Sequence, residues 1–241
     1  MVTYYSVNER GGRPDQEDTV GVCILENTAF FAVADGLGGH GKGDVASSAI
    51  IQYALERFGE ESEPENYFQD IFVNGNNYLT ALQDQARLPE SMKTTLVCGM
   101  ITGNYITGAH IGDSRFYVFE NGQLIYRSKD HSVPQILALS GEIQESQIRN
   151  HPDRNKVLRV LGSREEEPRY EKHGPWEARQ GISLLLCTDG FWEYVKEEEM
   201  QKTLGKSGNV EAWMRKMKGI VRRRGILKRQ DNFSAIGVWI R

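Results

Sequence analysis

TTLVCGMITGNYITGAHIGDSRFYVFENGQLIYR, residues 94–127, decides the topology. Its apolar and β-branched runs at 94–101, 105–111, 116–119 and 123–127 read as strands. The connections at 102–104 and at Asn121-Gly122 are tight turns. A parallel crossover needs roughly a dozen residues, so the strands flanking each turn can pair only as antiparallel hairpins.

Working outward, 4–7, 20–25 and 29–34 read as further strands. A helix starting near Asp44 carries Val45, Ala49, Ile50 and Leu55; a second spans about 64–86, with Phe68, Phe72, Leu79 and Leu82 at helical spacing. Residues 130–165, rich in Ser, Asn, Asp and Arg, read as short helices and irregular chain, a surface flap. A buried strand at 182–187, helices at about 196–204 and 210–224, and a strand at 233–240 follow. This order predicts an α+β class, antiparallel sheet covered by helices, in one domain over 1–241.

The 241 residues are long enough to bury a core, and a net charge of −4 gives no electrostatic reason to expect nucleic acid. The apolar run 182–187, interrupted by Ser183, is far short of the ~20 residues that span a bilayer. Residues 1–10 hold no secretory apolar region. Cys23, Cys98 and Cys187 sit in apolar runs without pair spacing and read as buried small hydrophobes in a reducing cytoplasm.

Two apolar strands end in the same way. Phe30-Phe31-Ala32-Val33-Ala34 stops at Asp35-Gly36, and Leu184-Leu185-Leu186-Cys187-Thr188 stops at Asp189-Gly190. Asp231-Asn232 precedes the strand at 233–240, and Glu17-Asp18 precedes the strand at 20–25. A single Asp-Gly after a strand is an ordinary turn. Four acidic strand boundaries, if they converge, repel one another unless a cation neutralises them. Oxygen donors with no His or Cys cluster suit Mg²⁺ or Mn²⁺ and argue against zinc.

Residues 36–41, Gly-Leu-Gly-Gly-His-Gly, match the dinucleotide-binding glycine pattern, and 36–42 match the start of a phosphate loop. Both readings fail. Gly43 stands where the phosphate loop needs a hydroxyl, Asp35 would repel a pyrophosphate, and hairpins do not belong in a parallel nucleotide-binding sheet.

The ordered set Arg13-Pro-Asp-Gln-Glu17-Asp18, Ala34-Asp35-Gly36-Leu-Gly-Gly-His40, Ala46-Ser47, Thr94-Thr95, Gly112-Asp113-Ser114-Arg115, Lys129-Asp130-His131-Ser132, His151-Pro152 with Arg154-Asn155, Leu161-Gly162, Thr188-Asp189-Gly190 and Asp231-Asn232-Phe-Ser234 resembles the metal-dependent protein serine/threonine phosphatases, the type 2C or PPM family. The resemblance runs almost end to end, and its compact length is similar to bacterial members that consist of the catalytic domain. It implies two packed antiparallel sheets flanked by helices, and hydrolysis of phosphoserine and phosphothreonine at a centre of two Mn²⁺ or Mg²⁺ ions. It also implies that Asp35 bridges the ions, the Gly36 carbonyl helps hold one, and Asp189 and Asp231 complete the other. By the same resemblance Glu17 acts through bound water with support from Asp18, Asp113 serves a third, weaker ion, Arg13 holds the phosphate, and His40 is a candidate proton donor. Partners would be phosphoproteins, the substrates of a cognate serine/threonine kinase, and the expected state is a cytoplasmic monomer without nucleic-acid or membrane partners. Lys93, Asp44, Thr188 and Ser234 depart from the family's usual residues without removing a ligand.

A non-catalytic member that binds metal or a partner would lack a ligand, whereas Glu17, Asp35, Asp113, Asp189 and Asp231 are all present. His110 reads as a core histidine, and His131 and His151 as structural or flap residues. The basic run at 222–224 with Lys228 and Arg229 reads as a helix C-terminus, where cations suit the dipole.

Overall fold

The apolar run from Thr28 to Asp35 is buried on both of its faces. Phe30, Ala32 and Ala34 pack in one cluster with helical residues such as Ile50, Phe68 and Phe72. Phe31 and Val33 pack on the other side, against Phe116, Leu184, Leu186 and Ile236. Successive side chains of a strand point to opposite faces, so a strand with protein on both sides reads as a continuous apolar run.

A computed structural model describes residues 1–38, 41–164, 167–225 and 230–241 of the chain. In chain order the strands are β1 (Val2–Glu9), β2 (Asp18–Ile24), β3 (Thr28–Asp35), β4 (Leu96–Thr102), β5 (Tyr105–Ile111), β6 (Arg115–Glu120), β7 (Gln123–Arg127), β8 (Glu171–Glu177), β9 (Ile182–Cys187) and β10 (Phe233–Ile240). The helices are α1 (Gly43–Arg57), α2 (Pro64–Gln69), α3 (Gly75–Ala86), α4 (Val133–Leu139), α5 (Glu145–Ile148), α6 (Asp189–Trp192), α7 (Glu197–Gly205) and α8 (Val210–Gly225). One sheet has the order β1-β10-β9-β6-β7 and the other β2-β3-β4-β5-β8. Every strand pair is antiparallel. The sheets pack face to face through the Phe31 cluster, α1 to α3 cover the second sheet, and α6 to α8 cover the first. The result is the expected α+β sandwich of two antiparallel sheets between helical layers.

The hairpins form as read. Thr102 pairs with Tyr105 and Glu120 with Gln123, leaving two-residue turns. Asn121 and Gly122 both have positive φ, which suits the turn that matches strand twist. Three expectations shift. The helix expected at 64–86 is α2 and α3 joined by a π-helical stretch, Asp70–Asn74. The strand expected from residue 94 begins at Leu96, while Thr94 bridges Gly36 and Leu161. An extra strand, β8, pairs with β5 at the sheet edge. Its charged residues and Gly174-Pro175 hide it from pattern reading, and an edge is where a sheet tolerates proline. The basic end of α8 is held by ion pairs, Arg222 to Glu9 at 2.8 Å and Arg224 to Glu199 at 2.7 Å; Lys228 and Arg229 lie outside the described residues.

Candidate active site

Strands of both sheets deliver carboxylates to one cavity of about 470 Å³, whose lining includes Arg13, Glu17, Asp35, Gly36, Asp113, Asp189 and Asp231. Asp35 ends β3. Its N–H donates to Thr95 Oγ1 at 3.2 Å, and its carbonyl accepts from Thr94 Oγ1 at 2.8 Å and from the Thr95 amide at 2.9 Å. Asp189 opens α6 directly after β9, and Asp231 lies just before β10, the strand beside β9. In an antiparallel pair the end of one strand meets the start of the other, so these two carboxylates become neighbours. Asp113 occupies the turn from β5 to β6, and its carbonyl accepts the Trp192 indole N–H at 2.9 Å.

Glu17 is held by backbone. Its carbonyl accepts the Gly36 amide at 3.1 Å, and a Cβ at Gly38 would collide with the Glu17 carboxylate. The glycine at 38 lets the loop close around Glu17. His40 lies outside the described residues. Asp18 is set behind the cavity, opposite Asp35 in the β2–β3 pair. Its Oδ2 accepts from Thr188 Oγ1 at 3.0 Å, and its buried Oδ1 has no hydrogen-bond partner.

Arg13 reaches Asp231 at 2.6 Å, with both side chains partly exposed. Asn232 stands out as a positioning residue that sequence reading left without a role of its own. Its Nδ2 donates to the carbonyls of Arg10 at 2.7 Å and Asp15 at 2.9 Å, and its Oδ1 accepts the Glu17 amide at 2.8 Å. It thereby pins the loop bearing Arg13 and Glu17 beside Asp231. Asn155, Lys156 and Val157, from the segment between β7 and β8, form the facing wall. That segment is tethered by Arg154 to Glu193 at 2.6 Å. His151 accepts the Asp153 amide at 3.1 Å within the same segment.

The electrostatics are those of crowded, desolvated acids. Burial, reinforced by Asp189 and Asp231, pushes Asp18 up to about 8. Burial, then Glu193 and Asp231, push Asp189 up to about 7. Burial and neighbouring aspartates hold Asp35 and Asp113 well above the ordinary carboxylate range. Burial and then Asp44 raise Glu17. Among the described residues, none of Asp18, Asp35, Asp113 and Asp189 has an ion-pair partner. Converging oxygen donors, one buried oxygen unsatisfied and, among the described residues, no ion pair to the converging carboxylates except that of Arg13 with Asp231, fit a hard divalent metal centre.

The sequence profile described as Protein phosphatase 2C matches residues 7–228. The chain is 33% identical over 208 residues to the serine/threonine protein phosphatase PstP of Mycobacterium tuberculosis, covering 85% of this chain and 39% of PstP. It thus spans well under half the length of that relative. It is 32% identical over 199 residues to the serine/threonine phosphatase stp of Listeria monocytogenes, covering 80% of this chain and 78% of stp. Among solved structures, the PstP catalytic domain in complex with two manganese ions superposes with a TM-score of 0.81 at 28% identity, covering 99% of this chain and 97% of that one.

Proposed function

The chain belongs to the protein phosphatase 2C family, and we propose on that premise that it is a protein serine/threonine phosphatase that hydrolyses phosphoserine and phosphothreonine at a binuclear Mn²⁺ or Mg²⁺ centre. The carrying observation is the convergence of Asp35, Asp189, Asp231 and Glu17, drawn from both sheets, on one cavity with too little cationic charge to balance them. When bound, two divalent cations supply Lewis-acid charge and lower the pKa of coordinated water. Asp35 and the Gly36 carbonyl would hold the ions together with Asp189 and Asp231, and Glu17, with Asp18 behind it, would support them through bound water. Asp113 lines the same cavity and, together with Asp189, would hold a third, weaker ion.

Arg13 leaves Asp231 when substrate arrives and forks onto two phosphoryl oxygens, a geometry that guanidinium matches. Asn155 and Lys156 line the same cavity and would meet a phosphorylated side chain bound there. We read 1–241 as one catalytic domain with a flap at about 130–165. We place it as a monomer in the cytoplasm, opposite a serine/threonine kinase. Its three cysteines are free, and no described helix is long and apolar enough to cross a membrane.

The test is hydrolysis of a phosphothreonine peptide with and without chelator. Turnover should require added Mn²⁺ or Mg²⁺, and Asp35→Asn should abolish it by removing the charge that holds two cations together. Calorimetry should count two tight ions in the parent and fewer in the variant. Substantial chelator-resistant turnover by the purified protein would overturn the binuclear reading.

A further inference from the structure

Outside the cavity, the described residues hold a second cluster of titratable groups. His110, His131 and Glu171 bring one ligand-type atom each within 4.8 Å of one another. A shared metal ion does not fit them. The rings of His110 and His131 are stacked, 4.5 Å between centroids and 22° from parallel, so their in-plane lone pairs run alongside each other and do not converge.

The hydrogen bonds give the cluster a different meaning. The His131 amide donates to the Gly112 carbonyl at 2.9 Å, and the Gly112 amide donates back to His131 Nδ1 at 3.1 Å. Two bonds in opposite directions fix both peptides that flank Gly112, and the second of them leads directly into Asp113. The Leu158 amide donates to the His131 carbonyl at 2.7 Å, and Ser132 bridges Val157. His131 thus stands between Asp113 on one side and the cavity wall of Lys156 and Val157 on the other. Gly112 has φ +101°, and a Cβ there would lie 2.6 Å from Thr95, so this turn has little freedom to adapt.

The tautomer follows from the partners. A backbone amide only donates, so Nδ1 must be the unprotonated nitrogen and Nε2 carries the hydrogen. Nε2 lies 3.3 Å from Glu171 Oε1, without hydrogen-bond geometry. Burial, with Arg159 next, pushes the imidazole down to about 4, so the ring is neutral near neutral pH. Neutral His110 behind it donates from Nε2 to the Lys129 carbonyl at 2.8 Å, which leaves its Nδ1 to accept from His173 Nε2, also at 2.8 Å.

We propose that His131 is a positioning residue, which sets Asp113 and the Lys156–Val157 wall in one geometry by accepting the Gly112 amide on Nδ1. This rests on the reading of Asp113 as part of the catalytic centre. An Asn side chain places Oδ1 where Nδ1 sits and can accept the same amide; Leu has the same branching and cannot. In metal-free protein, His131→Leu should speed hydrogen exchange at the Gly112 amide by roughly tenfold or more, and His131→Asn should leave it within about threefold of the parent. With Mn²⁺ and a phosphopeptide, His131→Leu should lower kcat by roughly tenfold and His131→Asn should restore most of it.

Equal loss in both variants, or normal kcat with an unprotected Gly112 amide in His131→Leu, overturns the proposal. Should the Leu variant fail to fold, nitrogen NMR of the parent decides. Nδ1 should be bare and coupled through the hydrogen bond to the Gly112 amide, and a proton on Nδ1 overturns the assignment. Because exchange and tautomer are read without metal or substrate, a parent that lacks phosphatase activity would refute the functional reading while leaving the clamp separately testable.

Discussion

The guanidinium of Arg13 lies 2.6 Å from Asp231 with about half of its side chain exposed. An exposed pair of this kind contributes at most about 1 kcal/mol, so Arg13 can leave it at small cost. Arg13→Ala should therefore lower kcat/KM by about 2–4 kcal/mol, the scale for losing one charge-stabilising donor, without weakening cation binding. Steady-state kinetics beside calorimetry checks this; a collapse of metal affinity together with activity would make Arg13 a structural residue. The positions of Asp35 and Asp189 were legible because each terminates an apolar run whose burial is forced. Asn232 was not, since its bonds go to the backbone of Arg10, Asp15 and Glu17, more than two hundred residues away, and no local pattern records such partners.

Among elements, β3 and β9 were readable because both faces are covered and their patterns are continuous. The hairpins were readable because turn chemistry is local. β8 was not: its pairing with β5 comes from the far side of a long segment, and its exposed edge places few demands on side-chain type. The segment before it is fastened by Arg154 to Glu193, the residue that follows α6. Arg154→Ala should raise KM for a phosphopeptide several-fold, because the wall of Asn155 to Val157 loosens, and should speed proteolytic nicking within 140–160. The pair is partly exposed, so the melting midpoint should fall by no more than about 4 °C, roughly what about 1 kcal/mol moves in a domain of this size. An unchanged KM with unchanged nicking would mean that the tether does not govern the wall.

For the molecule as a whole, two sets of buried groups act in opposite directions on pH stability. In metal-free protein, Asp18 at about 8, Asp189 at about 7, and the raised Asp35 and Asp113 keep protons that the unfolded chain has released above about pH 4. Folded stability from these groups therefore falls as pH rises through that range. Burial pushes His110 and His131 down to about 4 and His173 to about 3. Below about pH 6.5 the unfolded chain binds protons that the folded chain refuses, so stability from these groups falls as pH drops. Metal-free protein should thus lose stability between about pH 6.5 and 8.5, where the carboxylates act alone. Saturating Mn²⁺ should abolish that slope and leave the acid loss. Denaturant midpoints measured across pH with chelator and with Mn²⁺ decide it; equal metal-free stability at both ends of the alkaline range would refute the assignment of these carboxylates as uncompensated.

The same convergence has a mechanical consequence. Asp35 hangs from one sheet of the sandwich, while Asp189 and Asp231 hang from the other. Cations gripped by all three would act as rivets across the seam, joining two plates that otherwise meet through a broad apolar face and a few hydrogen bonds such as Thr188 to Asp18 and Tyr126 to His173. The loaded protein should then resist shear between its sheets far better than the empty one. Pulled in opposite directions through one strand of each sheet, it should yield at a force set by the ions and not by the core.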